Sequence, residues 1–599
     1  MDNQKRLLIA IGLSLGLTLV YSKLVWEPQA SKERQVAEEA ALLADAGSPF
    51  LAVGSADAGS PMAVGPAIDN KANDVLPVRE LTFARDSARY TFSTEGAGLA
   101  HALLLGKKER EQQEVSIGEG FKKLLGGAAE IPPQMDMARP VDGHPMPFAV
   151  SLVGSASVPG TARYAVVEES NGRVVFKTTQ GPWEIEKTFT WKKEGYELAM
   201  QVVVKNLGST PLSAELGVHS ARAIDPSHEV APSMFGGVGN QSNATCLVED
   251  KVHRKMPSKD PAEEFKGTVR YSGIDQQYFL ASVFPSGGAL VGRCVLTSNA
   301  TARIADTYFP ITVAAGEKTT LQFGGFLGPK DFEMLSATPT LSAGGGNGAV
   351  VAQYSPGLEK AVDFGWWAVI CKVLLTVLKF FHGLTGNWGV SIILLTVGVK
   401  LLLLPLTHKA MVSAESMKKL QPQMEAMKKK FPDDKERQNV EMMKMYQEQK
   451  VNPLGGCLPL LLQLPVWAAL FTTLRTSYEL YSEPFFGPVW TDLTYKDPTY
   501  ILPLALGITM IITQRLQPQM MDATQAKVMT WFMPIFFTAI MMNYPAGLAL
   551  YIFTNNLLSI GQQAALKRYL ARKKGDGGKF PAPTDRPDKT KKLQPATKA

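Results

Sequence analysis

VMTWFMPIFFTAIMMNYPAGLALYIFTNNLLSIGQQAAL, residues 528–566, runs for 39 positions without one charged side chain. A helix crossing a bilayer needs about 20 predominantly apolar residues, so the run holds two crossings. Asn543-Tyr544-Pro545-Ala546-Gly547 lies at its middle, and a Pro-x-Gly cluster of this kind marks a turn. The stretch predicts spans at 528–543 and 547–566, joined tightly. Its chain is an α-helical polytopic membrane protein.

Three further charge-poor runs precede this pair: 389–406, interrupted only by Lys400, then 458–474, and a shorter one at 500–514. Near the start, Lys5-Arg6 precedes the apolar stretch Leu7–Ser22, which Lys23 and Trp26 follow. No small-x-small cleavage site follows it, so residues 1–26 are expected to be an uncleaved anchor rather than a signal peptide. Six spans result. Residues 407–450 hold ten Lys/Arg, and the tail beyond Ile560 holds eleven against three Asp. Both should be cytoplasmic. The loop 475–499 carries Glu479, Glu483, Asp492 and Asp497 against two basic residues and should lie outside. Six spans with both termini inside satisfy every loop, and place residues 27–358 on the outer side.

The formal charge of +7 over 599 residues conceals this unevenness. Residues 27–77 are rich in Ala, Gly, Ser and Pro and contain a near-repeat, Asp45–Pro49 and Asp57–Pro61. Such composition buries no core and reads as a flexible tether. Residues 78–345 carry strand signals. Arg163–Glu168 and Arg173–Thr178 flank the turn Glu169-Ser170-Asn171-Gly172, and Lys187–Trp191 and Leu198–Lys205 alternate in the same way. Many short strands predict an all-β sandwich domain. Its His219, Asp225, His228 and Glu229 show no catalytic spacing. Gly344-Gly345-Gly346 marks its end.

Between that domain and the second span, residues 358–384 mix Trp366, Trp367, Leu374, Leu375, Phe380 and Phe381 with Lys360, Asp363, Lys372 and Lys379. They read as an amphipathic helix at the outer interface. The basic loop 410–450 predicts a helical hairpin. Met417, Leu420, Met424, Met427 and Phe431 fall on one face of its first arm, and Glu436–Glu448 forms the second. Methionine there either fills a small core or offers an adaptable surface to varied apolar segments.

The four cysteines, Cys246, Cys294, Cys371 and Cys457, form no CxxC pair. Neither a metal site nor any cofactor is expected, though Cys246 and Cys294 would be free to pair in an oxidising compartment. No GxxxxGK[ST] occurs, and spans two to six hold no Asp or Glu. That argues against nucleotide hydrolysis and against ion-coupled transport of a small solute.

What spans two to six do hold is Lys400. It lies about six residues, or about 9 Å, from the cytoplasmic end of its span. An intramembrane cation snorkels, pairs or faces a wet cavity. Thr396 one turn earlier, with Gln463, Asn555, Asn556 and Gln562, would line such a cavity or else hold the bundle by hydrogen bonds.

Gly386-Asn387-Trp388-Gly389, Pro405-Leu406-Thr407, Leu420-Gln421-Pro422, Asn452-Pro453-Leu454-Gly455-Gly456-Cys457-Leu458-Pro459, Gln463, Pro465, Pro545-Ala546-Gly547-Leu548 and Asn556-Leu557 together resemble the YidC family of membrane protein insertases. The likeness covers about 200 residues in order and spacing. The N-terminal span and β-rich domain resemble the family's Gram-negative form. The resemblance implies a five-helix insertase core, a β-supersandwich periplasmic domain, and a hydrophilic groove open to the cytoplasm and lipid. It implies an inner-membrane chaperone and insertase, not an enzyme, whose partners are nascent membrane proteins, the Sec translocon, the ribosome and membrane lipids, with no small-molecule substrate. Lys400 stands where the family usually has arginine. Thr396 matches its groove threonine, and Leu464, Trp467, Tyr551 and Ile552 fall where it lines the client's path. Ile552 departs from a common tyrosine. The basic tail 567–599, with Lys567, Arg568, Arg572, Lys573 and Lys574, is a solvated anchor or a ribosome contact.

Overall fold

The computed structural model describes residues 76–112, 117–124, 131–154, 156–225, 242–288, 290–337, 356–431, 434–448, 458–486, 490–516 and 528–575. The expected N-terminal anchor, the tether with its near-repeat, His228, Glu229, Gly344–Gly346, Cys457 and the tail beyond residue 575 lie outside them. The chain divides into two units, one mainly residues 1–362 and the other mainly 363–599.

Period-two alternation of Val, Ile, Phe and Thr builds the first unit. Its large antiparallel sheet runs Val150–Gly154, Leu212–Val218, Ala302–Val313, Leu290–Ser298, Glu263–Gln276, Phe279–Pro285, Lys318–Pro329, Glu197–Asn206, Trp183–Thr190, Arg173–Gln180 and Ala165–Ser170. Glu80–Ala84, Ala88–Ser93 and Gly98–Leu104 form a smaller sheet. The expected hairpin closes more tightly than its four turn residues imply. Ser170 pairs with Arg173, leaving Asn171-Gly172 as a two-residue loop, with Gly172 at φ 114°. Aromatic side chains join the two sheets: Phe92 stacks on Trp191 at 5.6 Å and meets Phe189 at 4.7 Å.

One cation is sealed inside this core. Lys187 is fully buried and donates to the carbonyls of Gly96, Ala97 and Phe148 at 3.0, 2.6 and 2.8 Å. Burial drives its pKa well down, while three acceptors hold its protons. Cys246 and Cys294 are free, buried thiols, and burial with the neighbouring Cys246 thiol pushes Cys294 up.

The second unit is helical. Asn387 caps the helix Trp388–Lys430, its side chain accepting from the Val390 amide at 3.0 Å. This one helix runs unbroken through Pro405 and Pro422. The expected span 389–406 and the first arm of the hairpin are therefore a single element. A proline removes one amide bond and kinks a helix, but flanking turns of strong helix formers carry it on. Lys435–Glu448 is the second arm, with Arg437 amide donating to Asp434 at 2.9 Å.

Ala368–Thr385 packs on Trp388–Lys430 and on Leu458–Thr476, while Ala546–Gly575 packs on Ile501–Leu516 and Trp388–Lys430. The last expected pair appears as Val528–Phe532, a π-helical turn, continuing into Met533–Met541, then Ala546–Gly575. The turn between them is held by the preceding loop, Ala546 amide donating to Tyr495 and Gly547 amide to Leu493. Gly365–Thr385 and Trp388–His408 are long and apolar enough to cross a membrane, and Ile501–Leu516 and Val528–Met541 are shorter apolar helices. Large apolar side chains face outward, among them Leu401, Leu402, Ile508, Ile535 and Leu557. An apolar exterior around a partly polar interior fits a lipid solvent, not water.

Candidate functional site

Within the helical unit, polar groups concentrate along Ala546–Gly575, where it packs on Trp388–Lys430 and on Ile501–Leu516. Lys400 donates to the Ser559 hydroxyl at 2.8 Å, and Ser559 donates to the Asn555 carbonyl at 2.8 Å. Asn556, on the same helix one turn earlier, reaches the Thr509 hydroxyl at 3.5 Å. Thr509 itself bonds the Leu506 carbonyl at 2.8 Å. The arrangement sets a cation, one side-chain amide and two hydroxyls along one helix, among side chains that otherwise read as apolar. Lys400 is half-buried, so its ammonium is neither sealed in nor freely hydrated.

Thr396 is buried and its hydroxyl is engaged by the Ile392 carbonyl of its own helix at 2.6 Å. Tyr551 and Ile552 are buried at 2% and 9% exposure, one turn from Asn555 and Asn556. Trp467 is half-exposed and stacks on Phe471 at 6.0 Å, which meets Tyr544 at 5.5 Å. The side chains of Gln463 and Leu464 lie outside the described residues, as do those of Met417, Met424, Lys573 and Lys574. Leu420 is buried, and Met427 and Phe431 are half-buried. Lys567, Arg568 and Arg572 are exposed.

Sequence reasoning did not single out Ser559. A serine 159 positions from Lys400 carries no local signal, although its spacing from Asn555 and Asn556, four and three residues, places all three on one helical face. Sequence reasoning also missed a second constellation, in the β unit. His144, His219 and Asp306 come together there from three distant segments. Burial pushes the Asp306 carboxyl up, but the two histidines outweigh it and hold it at about 2. Burial lowers His144, yet its bond to Asp306 carries it above its ordinary value.

An apolar-faced helical bundle with a cation among its inner polar groups, joined to an extended antiparallel β unit, defines a polytopic membrane protein with a large extramembrane domain. Family models agree: one described as 60Kd inner membrane protein matches residues 380–574, and one described as YidC periplasmic domain matches 131–377. The membrane protein insertase YidC of Anaeromyxobacter sp. (strain K) is 36% identical over 512 residues, covering 82% of this chain and 86% of the relative. That of Geotalea daltonii is 31% identical over 576 residues, covering 95% and 99%. The chain belongs to the YidC family of membrane protein insertases. A crystal structure of active YidC insertase with its first transmembrane domain resolved covers 83% of this chain and 93% of its own, at 20% identity and TM-score 0.36. A putative aldose 1-epimerase from Escherichia coli K12 covers 42% of this chain at 11% identity and TM-score 0.25. The family is one of inner-membrane insertases with a periplasmic domain, not of enzymes.

Proposed function

We propose that this chain inserts membrane proteins by giving the polar flank of a client a wet path through the bundle. The path is lined by Lys400, Ser559 and Asn556. The observation that carries this reading is the Lys400–Ser559 contact: the cation is positioned by a neighbouring helix instead of extending to the membrane surface. An acidic residue in a client's translocated end is drawn to the ammonium as a point charge. Burial of the client's apolar segment in lipid then drives the net reaction, and the polar path lowers the barrier for its flank.

In this reading the chain crosses the inner membrane six times with both termini cytoplasmic, and Ala368–Thr385 with the turns before it lies at the outer interface. The hairpin of Trp388–Lys430 and Lys435–Glu448 receives clients. The basic tail contacts the ribosome through RNA phosphates, a contact that weakens steeply with salt. Work alongside the Sec translocon belongs to the same proposal. Site-specific photocrosslinking tests it. Probes at Asn556 and Trp467 should capture ribosome-bound nascent chains of inner-membrane proteins, while probes at the outward-facing Ile508 should capture lipid. Equal capture of nascent chains at all three positions would remove the path.

A further inference from the structure

The three-residue constellation in the β unit is unused by insertion, and its geometry asks for an occupant. Asp306 lies within the strand Ala302–Val313, whose Thr307 pairs with Val218 of the neighbouring strand. His219 follows that strand directly. Its amide donates to Ala149 at 3.1 Å, and its carbonyl accepts from Phe148 at 2.8 Å. His144 enters from a turn in which its amide donates to Val141 at 3.0 Å. His144 Nε2 stands 3.0 Å from Asp306 Oδ2, and His219 Nδ1 stands 3.1 Å from Asp306 Oδ1.

The far nitrogen of each ring is already engaged. His144 Nδ1 lies 2.9 Å from the Pro145 carbonyl, which can only accept, so that nitrogen carries the proton. His219 Nε2 lies 2.9 Å from the Ser151 hydroxyl. With Nδ1 protonated, the neutral His144 ring turns its Nε2 lone pair toward the carboxylate, and the Ser151 hydroxyl, which can donate as well as accept, lets His219 do the same. His219 Nδ1 approaches Asp306 Oδ1 without satisfying it. Both are buried and neither has a well-directed hydrogen bond, although they are in close approach. A buried nitrogen and a buried carboxylate oxygen without a directed hydrogen bond are costly, and a shared cation set to one side of the N···O line would satisfy both.

We propose that His144 Nε2, His219 Nδ1 and a carboxylate oxygen of Asp306 bind one divalent transition-metal ion of the zinc class. The three ligand atoms lie within 4.8 Å of one another. Zinc bonds of about 2.0–2.1 Å in a tetrahedron put ligand atoms about 3.3 Å apart, close to the 3.0 and 3.1 Å seen here. Two imidazoles and one carboxylate, without thiolate, suit zinc, nickel or copper over calcium or magnesium. The Pro145 carbonyl and Ser151 hydroxyl act as the outer partners that orient metal-binding imidazoles. His144 is the most exposed of the three side chains, 17% against 6% for His219 and 11% for Asp306. It therefore marks the entry side and leaves room for water as the fourth ligand. The ion would tie the turn before Val150–Gly154 to two adjoining strands.

The test uses the full chain in detergent, prepared without a polyhistidine tag, stripped with EDTA and then loaded with Zn2+. After gel filtration it should retain about one equivalent, and His144→Ala should weaken binding by at least about tenfold. Ser151→Ala, which only orients His219, should weaken it by roughly 10–100-fold. The exposed His101→Ala should change nothing. Cu2+ loaded into the unaltered protein should show hyperfine coupling to two imidazole nitrogens, a readout that stands even if a variant fails to fold. Retention below about 0.1 equivalent, or coupling to fewer than two nitrogens, would overturn the assignment. Zinc binding by His144→Ala equal to that of the parent would do the same.

Discussion

The Lys400 ammonium and the Ser559 hydroxyl, 159 residues apart, meet at 2.8 Å across two helices. At an effective dielectric of about 20, a carboxylate 4 Å from that charge gains roughly 4 kcal/mol before losses to desolvation. Removing the charge should therefore be felt by acidic clients. Lys400→Arg should retain insertion, because the charge persists and the fork can pair a carboxylate bidentately. Lys400→Ala should lower insertion of a client with acidic translocated residues by about tenfold, equivalent to about 1.4 kcal/mol, and leave its neutralised twin nearly unchanged. Lys400→Glu should be worst for the acidic client. The measurement is insertion of the paired clients, normalised to insertase level. Equal loss for both clients would falsify charge attraction and leave the family assignment standing.

The hairpin should be required although, on the proposed topology, it lies outside the membrane. Its methionine face is placed on a helix continuous with the Lys400 span, so a segment held there is delivered along the same element. Replacing Met417, Met424 and Met427 together by Asp should abolish client insertion while the protein still assembles in the membrane. Normal insertion by that triple variant would show that the methionines only fill a local core.

Lys187 should be a stability determinant of the β unit. It donates to three carbonyls, two of them at Gly96 and Ala97, whose φ values of 66° and 43° put that turn in the left-handed region. Lys187→Met would leave those acceptors buried without donors, a loss of about 2–4 kcal/mol. Hydrogen exchange of the intact protein should then quicken around residues 94–104 and stay unchanged in the helices. Burial lowers the folded pKa below 10.5, so between the folded pKa and 10.5 the unfolded chain binds the extra proton. The residue's contribution therefore grows as pH rises through this window. A parent-minus-variant stability difference that shrinks with rising pH would contradict the assignment.

How far the sequence was legible follows from the range of each signal. The hairpin at Asn171-Gly172 and the turn at Asn543–Gly547 were readable, since turn chemistry is local. The continuation of Trp388–Lys430 past Pro405 was not, because proline is a strong local stop signal that a surrounding helix can override. Lys400 stood out as a cation in an apolar run, but Ser559 did not. Likewise, His144, His219 and Asp306 are 75 and 87 positions apart in turn, and only the tertiary fold joins them. The expectation of no metal rested on short-range spacing, which has no bearing on such a set.

The acidic loop 475–499 shows the same limit and supports a last prediction. Its charges read from sequence only as markers of the outer side, yet Asp497 is buried at 1% exposure. One carboxylate oxygen accepts from the Thr499 amide at 2.9 Å and its hydroxyl at 2.7 Å. The other accepts from the Leu502 amide at 2.8 Å, in the first turn of Ile501–Leu516. The carboxylate thus supplies acceptors to amides that a helix start leaves unpaired, and its negative charge sits at the positive end of the helix dipole. Asp492 plays a similar part, accepting from the Ser482 and Thr494 amides. The loop also carries Leu493 and Tyr495, whose carbonyls hold the turn entering Ala546–Gly575. Asp497→Ala should therefore cost about 1–3 kcal/mol and loosen two helix starts together. Asp497→Asn, which keeps one good acceptor, should cost less. Thermal unfolding of the detergent-solubilised protein, with exchange at residues 490–505 and 543–549, measures both effects. If Asp497→Ala melts with the parent and exchanges no faster in either segment, the carboxylate is a solvated charge after all.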